Sequence, residues 1–296
     1  MLVIDSHLDL AWNALQHNRD LLQSVYTIRT QEGHTGSTGG GGQGTVALPE
    51  MRKGRLFLAV VTLMARHTGR PAANIDYGSQ AQATAAAQGH LAYYRALEAH
   101  GHVRILTDLA ALNAHVTEWE TWESNGADGN KTPPLGFIIS MESADPIWQP
   151  QHLEAWHAAG VRLIGPAHYG PGRYAGGTAT ENGLSEIGVQ LLKEMRRVGV
   201  ILDMTHLCDQ SFWQALDVYD GPIIASQLAG NANHAGIGSD LDGGFGRQQS
   251  PGDLDTIIEL QKVAEILQSR GYSKADITNI MYGNWLRVLR RVWGGK

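Results

Sequence analysis

Positive charge is scarce in this chain, and cysteine is scarcer still. Twenty-three lysines and arginines stand against twenty-nine aspartates and glutamates, a formal net charge of -6 over 296 residues. Nucleic acid and anionic membrane surfaces select basic patches, so neither is expected as a partner. One cysteine, Cys208, excludes an internal disulfide and fits a reducing compartment. No apolar run approaches the ~20 residues of a membrane-spanning helix. Met1-Leu2-Val3-Ile4-Asp5 lacks the basic start of a secretory leader and reads directly as a strand. The cytoplasm is therefore the expected address. A phosphate loop is missing too, because the glycine-rich stretch 33–44 lacks a closing Lys-Ser/Thr. It reads as a flexible loop instead.

What is present is an alternation. Short apolar runs at 2–5, 57–63, 137–141, 161–164, 200–204, 222–225 and 235–238 are apolar on both faces, as strands covered by helices are. A weaker eighth run lies at 104–107. Longer helical patterns separate them, at 81–99, 186–198, 253–269 and 275–292, with Ser185 as an N-cap, Gly199 as a stop and a Ser273–Asp276 capping box. Strand–helix alternation predicts an α/β fold, a (β/α)8 TIM barrel in a single domain over 1–296.

The chemistry sits where these strands end. Residues two apart in an extended segment point the same way, so His7 and Asp9 present an imidazole and a carboxylate together after the first strand. Glu142 follows the run 136–141, His168 the run 161–167, His206 the run 200–205, and Asp240 the run 236–239. Each has an ordinary explanation alone: a buried histidine bonding a carbonyl, a glutamate capping a helix, an aspartate shaping a turn. A structural cause for all five strand ends at once is improbable, and active sites on barrels lie at this face. Nitrogen and carboxylate donors together suit zinc, with manganese or cobalt as substitutes.

The motifs agree with a known family. Asp5-x-His7-x-Asp9, Glu142 after Gly136-Phe137-Ile138-Ile139, the strand ending in His168, Gly183-Leu184-Ser185-x-x-Gly188, Leu202-Asp203-x-x-His206, Gly238-Ser239-Asp240-x-Asp242-Gly243 and Asn284-x-x-Arg287 run in order from residue 4 to residue 293. Together they resemble the membrane (renal) dipeptidase family of zinc peptidases, in its bacterial soluble form. The resemblance implies two zinc ions per chain, with His7 and Asp9 on the first, His206 on the second and Glu142 bridging them. It implies a metal-bridging hydroxide as nucleophile, Asp240 as acid/base and His168 on the substrate at the scissile carbonyl. Small dipeptides would be the substrates and a homodimer the assembly.

One place departs from the pattern. The family has a second zinc histidine after a Ser-His pattern where this chain has Ser226-Gln227, and further on an arginine for the substrate carboxylate. Physics marks the same place: the runs ending at 226 and starting at 235 would be neighbouring parallel strands, yet 227–234 is shorter than the dozen or so residues a parallel crossover takes. A segment, with one βα unit, is therefore expected to be missing between residues 226 and 227. Two other functions follow from the same residues: a metal-poor binding or scaffold homologue, favoured by Gln227, and another amidohydrolase-type activity on the same scaffold, such as a lactonase or deaminase. Cys208 lacks a visible triad and reads as a small buried thiol.

Overall fold

A computed structural model describes residues 1–35, 43–127, 132–225 and 232–295. Seven strands are present among them: β1 (Val3–Leu8), β2 (Leu56–Met64), β3 (Val103–Ile105), β4 (Leu135–Glu142), β5 (Val161–Gly165), β6 (Ile201–Asp203) and β7 (Ile223–Ile224). The helices are α1 (Leu10–Gln16), α2 (Val25–Thr35), α3 (Leu48–Lys53), α4 (Gln80–Ala99), α5 (Leu109–Ser124), α6 (Leu153–Ala158), α7 (Glu186–Val198), α8 (Asp209–Val218), α9 (Gln261–Ser269), α10 (Lys274–Thr278) and α11 (Asn284–Trp293). No helix among the described residues is long and apolar enough to cross a membrane.

The chain divides into two compact units, one of Met1–Val61, His100–Phe137 and Gln227–Lys296, the other of Thr62–Ala99 and Ile138–Ser226. In the first unit β1 pairs with β2, Ile4 opposite Leu58 and Asp5 opposite Ala59, and β3 pairs with the start of β4. In the second, β4, β5, β6 and β7 follow one another as neighbours. All five of these ladders are parallel. Every residue of β1, β2 and β4 is buried, which is why β2 and β4 read as nearly continuous apolar runs rather than as alternating ones, while β1 buries Asp5, Ser6 and His7 as well.

Helix ends obey the sequence signals. The Ser185 hydroxyl accepts from Gly188 N–H at 3.0 Å to open α7, and Gly199 closes it at φ +82°. Ser273 caps α10 in the same way, accepting from Asp276 N–H at 3.1 Å.

Four expectations change. The strand expected at 235–238 is reduced to a parallel bridge of Ile237 with Asp5, because the glycines at 236 and 238 offer no side chain to pack. The helix expected from 253 begins as a 3-10 turn at Ile257–Leu260, capped by Thr256 and Glu259, before α9 starts. The last helix is interrupted by a π-turn, Asn279–Gly283, just before Asn284 sends its amide to the carbonyls of Ala232 and Ala235 at 2.7 and 2.8 Å. Cys208 is half-exposed, its thiol donating to the Asn182 carbonyl at 2.9 Å. Most of the glycine-rich loop and the Ser226–Gln227 junction lie outside the described residues.

A histidine in the second unit makes stability sensitive to acid. His90 sits on the buried face of α4 with Ala87, Leu91 and Tyr94, and neither of its ring nitrogens has a hydrogen-bond partner among the described residues. Burial lowers its pKa from 6.5 to about 4. The unfolded chain takes up this proton near the ordinary value, while the folded chain refuses it until about pH 4. Stability from this group is therefore complete above pH 6.5 and is lost as pH falls toward 4, by up to about 3 kcal/mol. His90→Leu is expected to raise Tm at pH 5 by more than at pH 8. Equal shifts at both pH values would remove protonation from the account.

Candidate metal centre

In the first unit β1 delivers His7, and the chain then turns into α1 with Asp9 at its N-cap position. His7, Asp9 and Asp240 each offer a ligand atom within 4.8 Å of the others, with His7 Nε2 3.6 Å from Asp240 Oδ1. A buried scaffold sets this arrangement. The fully buried Asp5 carboxylate accepts from the Ser239 backbone N–H at 3.0 Å and from the Ser239 hydroxyl, tying the strand end to the turn that carries Asp240. Burial pushes the Asp5 pKa up to about 6, against the pull of those hydrogen bonds. The Asn13 amide, one turn into α1, donates to the carbonyls of Asp9 and Asp242 at 2.9 Å each. Asp242 in turn accepts from Thr45 N–H at 2.8 Å and Val46 N–H at 3.0 Å, with Arg19 at 3.4 Å.

The turn itself is strained. Asp240 and Asp242 both have positive φ, +52° and +64°, a conformation that costs a non-glycine residue about 1 kcal/mol or more. A Cβ at Gly243 would lie 1.9 Å from Asp240 Oδ1, so only glycine leaves the carboxylate its place. The Asp240 side chain is 29% exposed against 5% for His7, which leaves Asp240 reachable from solvent while His7 is not.

In the second unit β4 ends at Glu142, and the chain turns sharply at Ser143 with φ +75°. His168 lies three residues beyond β5, and His206 three beyond β6. The three form a second group with ligand atoms within 4.8 Å of one another. Glu142 Oε1 is 2.9 Å from His206 Nε2 and 3.6 Å from His168 Nε2. Asp203 fixes the turn before His206 by accepting from Thr205 N–H at 3.0 Å. The loop 169–183 folds back on the same place: Thr178 N–H donates to the His168 carbonyl at 2.9 Å, and its hydroxyl lies 3.3 Å from His206 Nδ1. Gly177 is required for that approach, since a Cβ there would sit 1.8 Å from the His168 oxygen.

All six residues singled out in the sequence thus fall into two groups, one in each unit. The donor chemistry fits zinc: each group joins imidazole to carboxylate, both borderline-hard ligands that zinc accepts. Sequence reasoning missed Asn13, Arg66 and Thr178. Arg66, two residues past the end of β2, was the most visible of the three, because a charged residue just beyond a buried strand is itself a signal. Cys208 is not set up as a nucleophile. Burial pushes its pKa up, but hydrogen bonds with Ser211, Thr180 and Gln210 outweigh that and hold it below its ordinary value. No histidine is among those partners.

Histidines and carboxylates grouped at the carboxyl ends of parallel strands are the arrangement that metal-dependent α/β enzymes use. The sequence matches the membrane dipeptidase family (peptidase family M19) over residues 1–232 and 226–293. The chain belongs to that family, which makes it a hydrolase. It is 24% identical over 228 residues to the "uncharacterized protein in pqqA 5′ region" of Klebsiella pneumoniae, covering 54% of this chain and 83% of that one. It is also 24% identical over 201 residues to "dipeptidase tcpJ" of Claviceps purpurea (strain 20.1), 47% of each chain. The chain thus spans about half the length of the Claviceps relative. Among solved structures it resembles a metallo peptidase from Rhodobacter sphaeroides liganded with a phosphinate mimic of the dipeptide L-Ala-D-Ala, at TM-score 0.73 and 18% identity over 99% of both chains. That identity level shows a shared fold.

Proposed function

We propose that this chain is a dinuclear zinc metallodipeptidase on a (β/α)8-type scaffold, hydrolysing the peptide bond of small dipeptides. The observation that carries the reading is the gathering of six sequence-predicted residues into two imidazole–carboxylate groups. His7 and Asp9 would hold one ion and His206 the other, with Glu142 shared between them as the family resemblance has it. Manganese or cobalt could replace zinc. When bound, such ions polarise the scissile carbonyl and lower the pKa of water from ~16 to about 7.

The chain's own residues do the rest. Asp240, the reachable carboxylate of its group, takes a proton from the attacking water and passes it to the leaving amine nitrogen. Its fixed turn through Ser239, Gly243 and Asp5 holds the carboxylate oxygen in place for both transfers. His168 contacts the substrate at the scissile carbonyl and stabilises charge on its oxygen as the tetrahedral centre forms. A homodimer is the expected assembly.

The family match falls into two segments that overlap at 226–232, the place where a βα unit is expected to be missing. The experiment that tests the function is a hydrolysis assay on dipeptides such as L-Ala-D-Ala. Turnover is expected, lost after chelation and restored by zinc. Turnover that survives complete metal removal would sink the proposal.

A further inference from the structure

The two histidines beside Glu142 present the same nitrogen, Nε2, to the same carboxylate oxygen. Their opposite nitrogens meet different chemistry. His168 Nδ1 lies 2.8 Å from Arg66 Nη1. A guanidinium carries only donors and stays charged at any working pH, so His168 Nδ1 accepts this bond. A neutral imidazole holds one proton, which therefore sits on Nε2, and Nε2 has no lone pair to give a metal. His206 Nδ1 instead meets the Thr178 hydroxyl at 3.3 Å, and that hydroxyl also reaches the His206 carbonyl at 3.3 Å. That hydroxyl can donate to the carbonyl and accept from Nδ1–H, and in this arrangement His206 Nε2, 2.9 Å from Glu142 Oε1, would keep its lone pair for an ion when one is bound.

Arg66 is held in place for this task. Its Nε donates to Asp76 at 3.1 Å, and Asp76, nearly fully buried, also accepts from Thr68 N–H at 3.0 Å and from the Thr68 hydroxyl at 2.6 Å. The backbone closes the same loop: Arg66 N–H donates to Ile75 and its carbonyl accepts from Tyr77 N–H at 2.8 Å. Three separate ties therefore fix one guanidinium against one ring nitrogen.

We propose that Arg66 and Thr178 are positioning residues that set the two histidines to opposite tautomers, making His206 a metal ligand and His168 a hydrogen-bond donor to the substrate oxygen. This rests on the dipeptidase reading for the identity of the metal and the substrate. The His168 tautomer, set by a partner that can only donate, does not. By geometry alone the three residues Glu142, His168 and His206 could pass for a three-ligand metal site; the Arg66 contact removes one of the three. The same contact lets His168 offer an N–H without first taking up a proton, so its donor role needs no protonation step.

The test is two-bond 1H–15N NMR of histidine-labelled protein, zinc-loaded and metal-free, with His168→Ala identifying the His168 signals. The expected result is a protonated Nε2 and a bare Nδ1 on His168 in both samples, with zinc per chain the same in His168→Ala as in the parent. A protonated Nδ1 on His168 overturns the proposal, as does loss of a zinc equivalent in His168→Ala. A parent chain that binds no zinc overturns the dipeptidase reading instead, and the metal-free spectrum still decides the tautomer. Arg66→Met is expected to lower kcat about 100-fold, the scale of one misdirected donor, with KM within a few-fold and zinc content intact, and Arg66→Lys to recover part of it. If Arg66→Met lowers zinc content along with kcat, or if Arg66→Lys recovers nothing, Arg66 is merely structural.

Discussion

Asp240→Asn is expected to lower kcat by about 10²- to 10⁴-fold, the range a lost general acid/base commonly costs, while the chain keeps its full complement of metal. The substitution is nearly isosteric, so the tight fit against Gly243 and the turn at φ +52° survive it. What it removes is the ability to accept a proton from water and return it to the leaving nitrogen. The grouping of Asp240 with His7 and Asp9 makes a second role conceivable, because its carboxylate is within ligand distance of theirs. Metal content separates the two. Activity lost with metal retained identifies a proton carrier, whereas metal lost alongside activity makes Asp240 a ligand. The 29% exposure of its side chain argues for the first, since a carrier must meet the substrate.

Glu142→Gln should act at the opposite end of the chemistry. Glu142 is buried at 7% exposure with two imidazole nitrogens within 3.6 Å of one of its oxygens. The amide keeps the volume and loses the charge, and half of its polar face becomes an N–H₂ that repels a cation. Zinc affinity, measured by competition with a chelator of known affinity, is expected to fall about 100-fold or more, since even residues that only support ligands cost 10- to 100-fold. If Glu142 is shared, both ions weaken together and two binding steps shift. A shift in one step alone would assign it to a single ion, and full retention would end its role as a ligand.

Much of this centre was legible in the sequence because one regularity points to it. Buried parallel strands are largely apolar, so a histidine or carboxylate at or just past the end of one stands out, and β1, β4, β5 and β6 each yield one. Those four, with Asp9 two positions beyond His7 and Asp240 after the run 236–239, are the six that fall into the two groups. What escaped were the residues that hold them. Asn13, Arg66 and Thr178 act through hydrogen bonds, most of them to groups 28 to 229 positions away, and no period or spacing encodes such a partner. The strand at 235–238 failed for a local reason. Its alternating glycines left apolar character at Ile237 but no flanking side chains to pack, and of strand pairing the segment keeps the bridge to Asp5. Helix caps at Ser185 and Ser273 were readable because a cap is a three-residue event.

Gln227 is the residue that favours the competing reading, a homologue that kept the scaffold and lost a ligand. The two readings differ in one countable property. Elemental analysis of the purified chain, loaded with zinc and then dialysed free of excess, is predicted to give about two zinc ions per chain. One ion or none, in a chain that stays folded, would contradict the account and leave a binding protein in the shape of a peptidase.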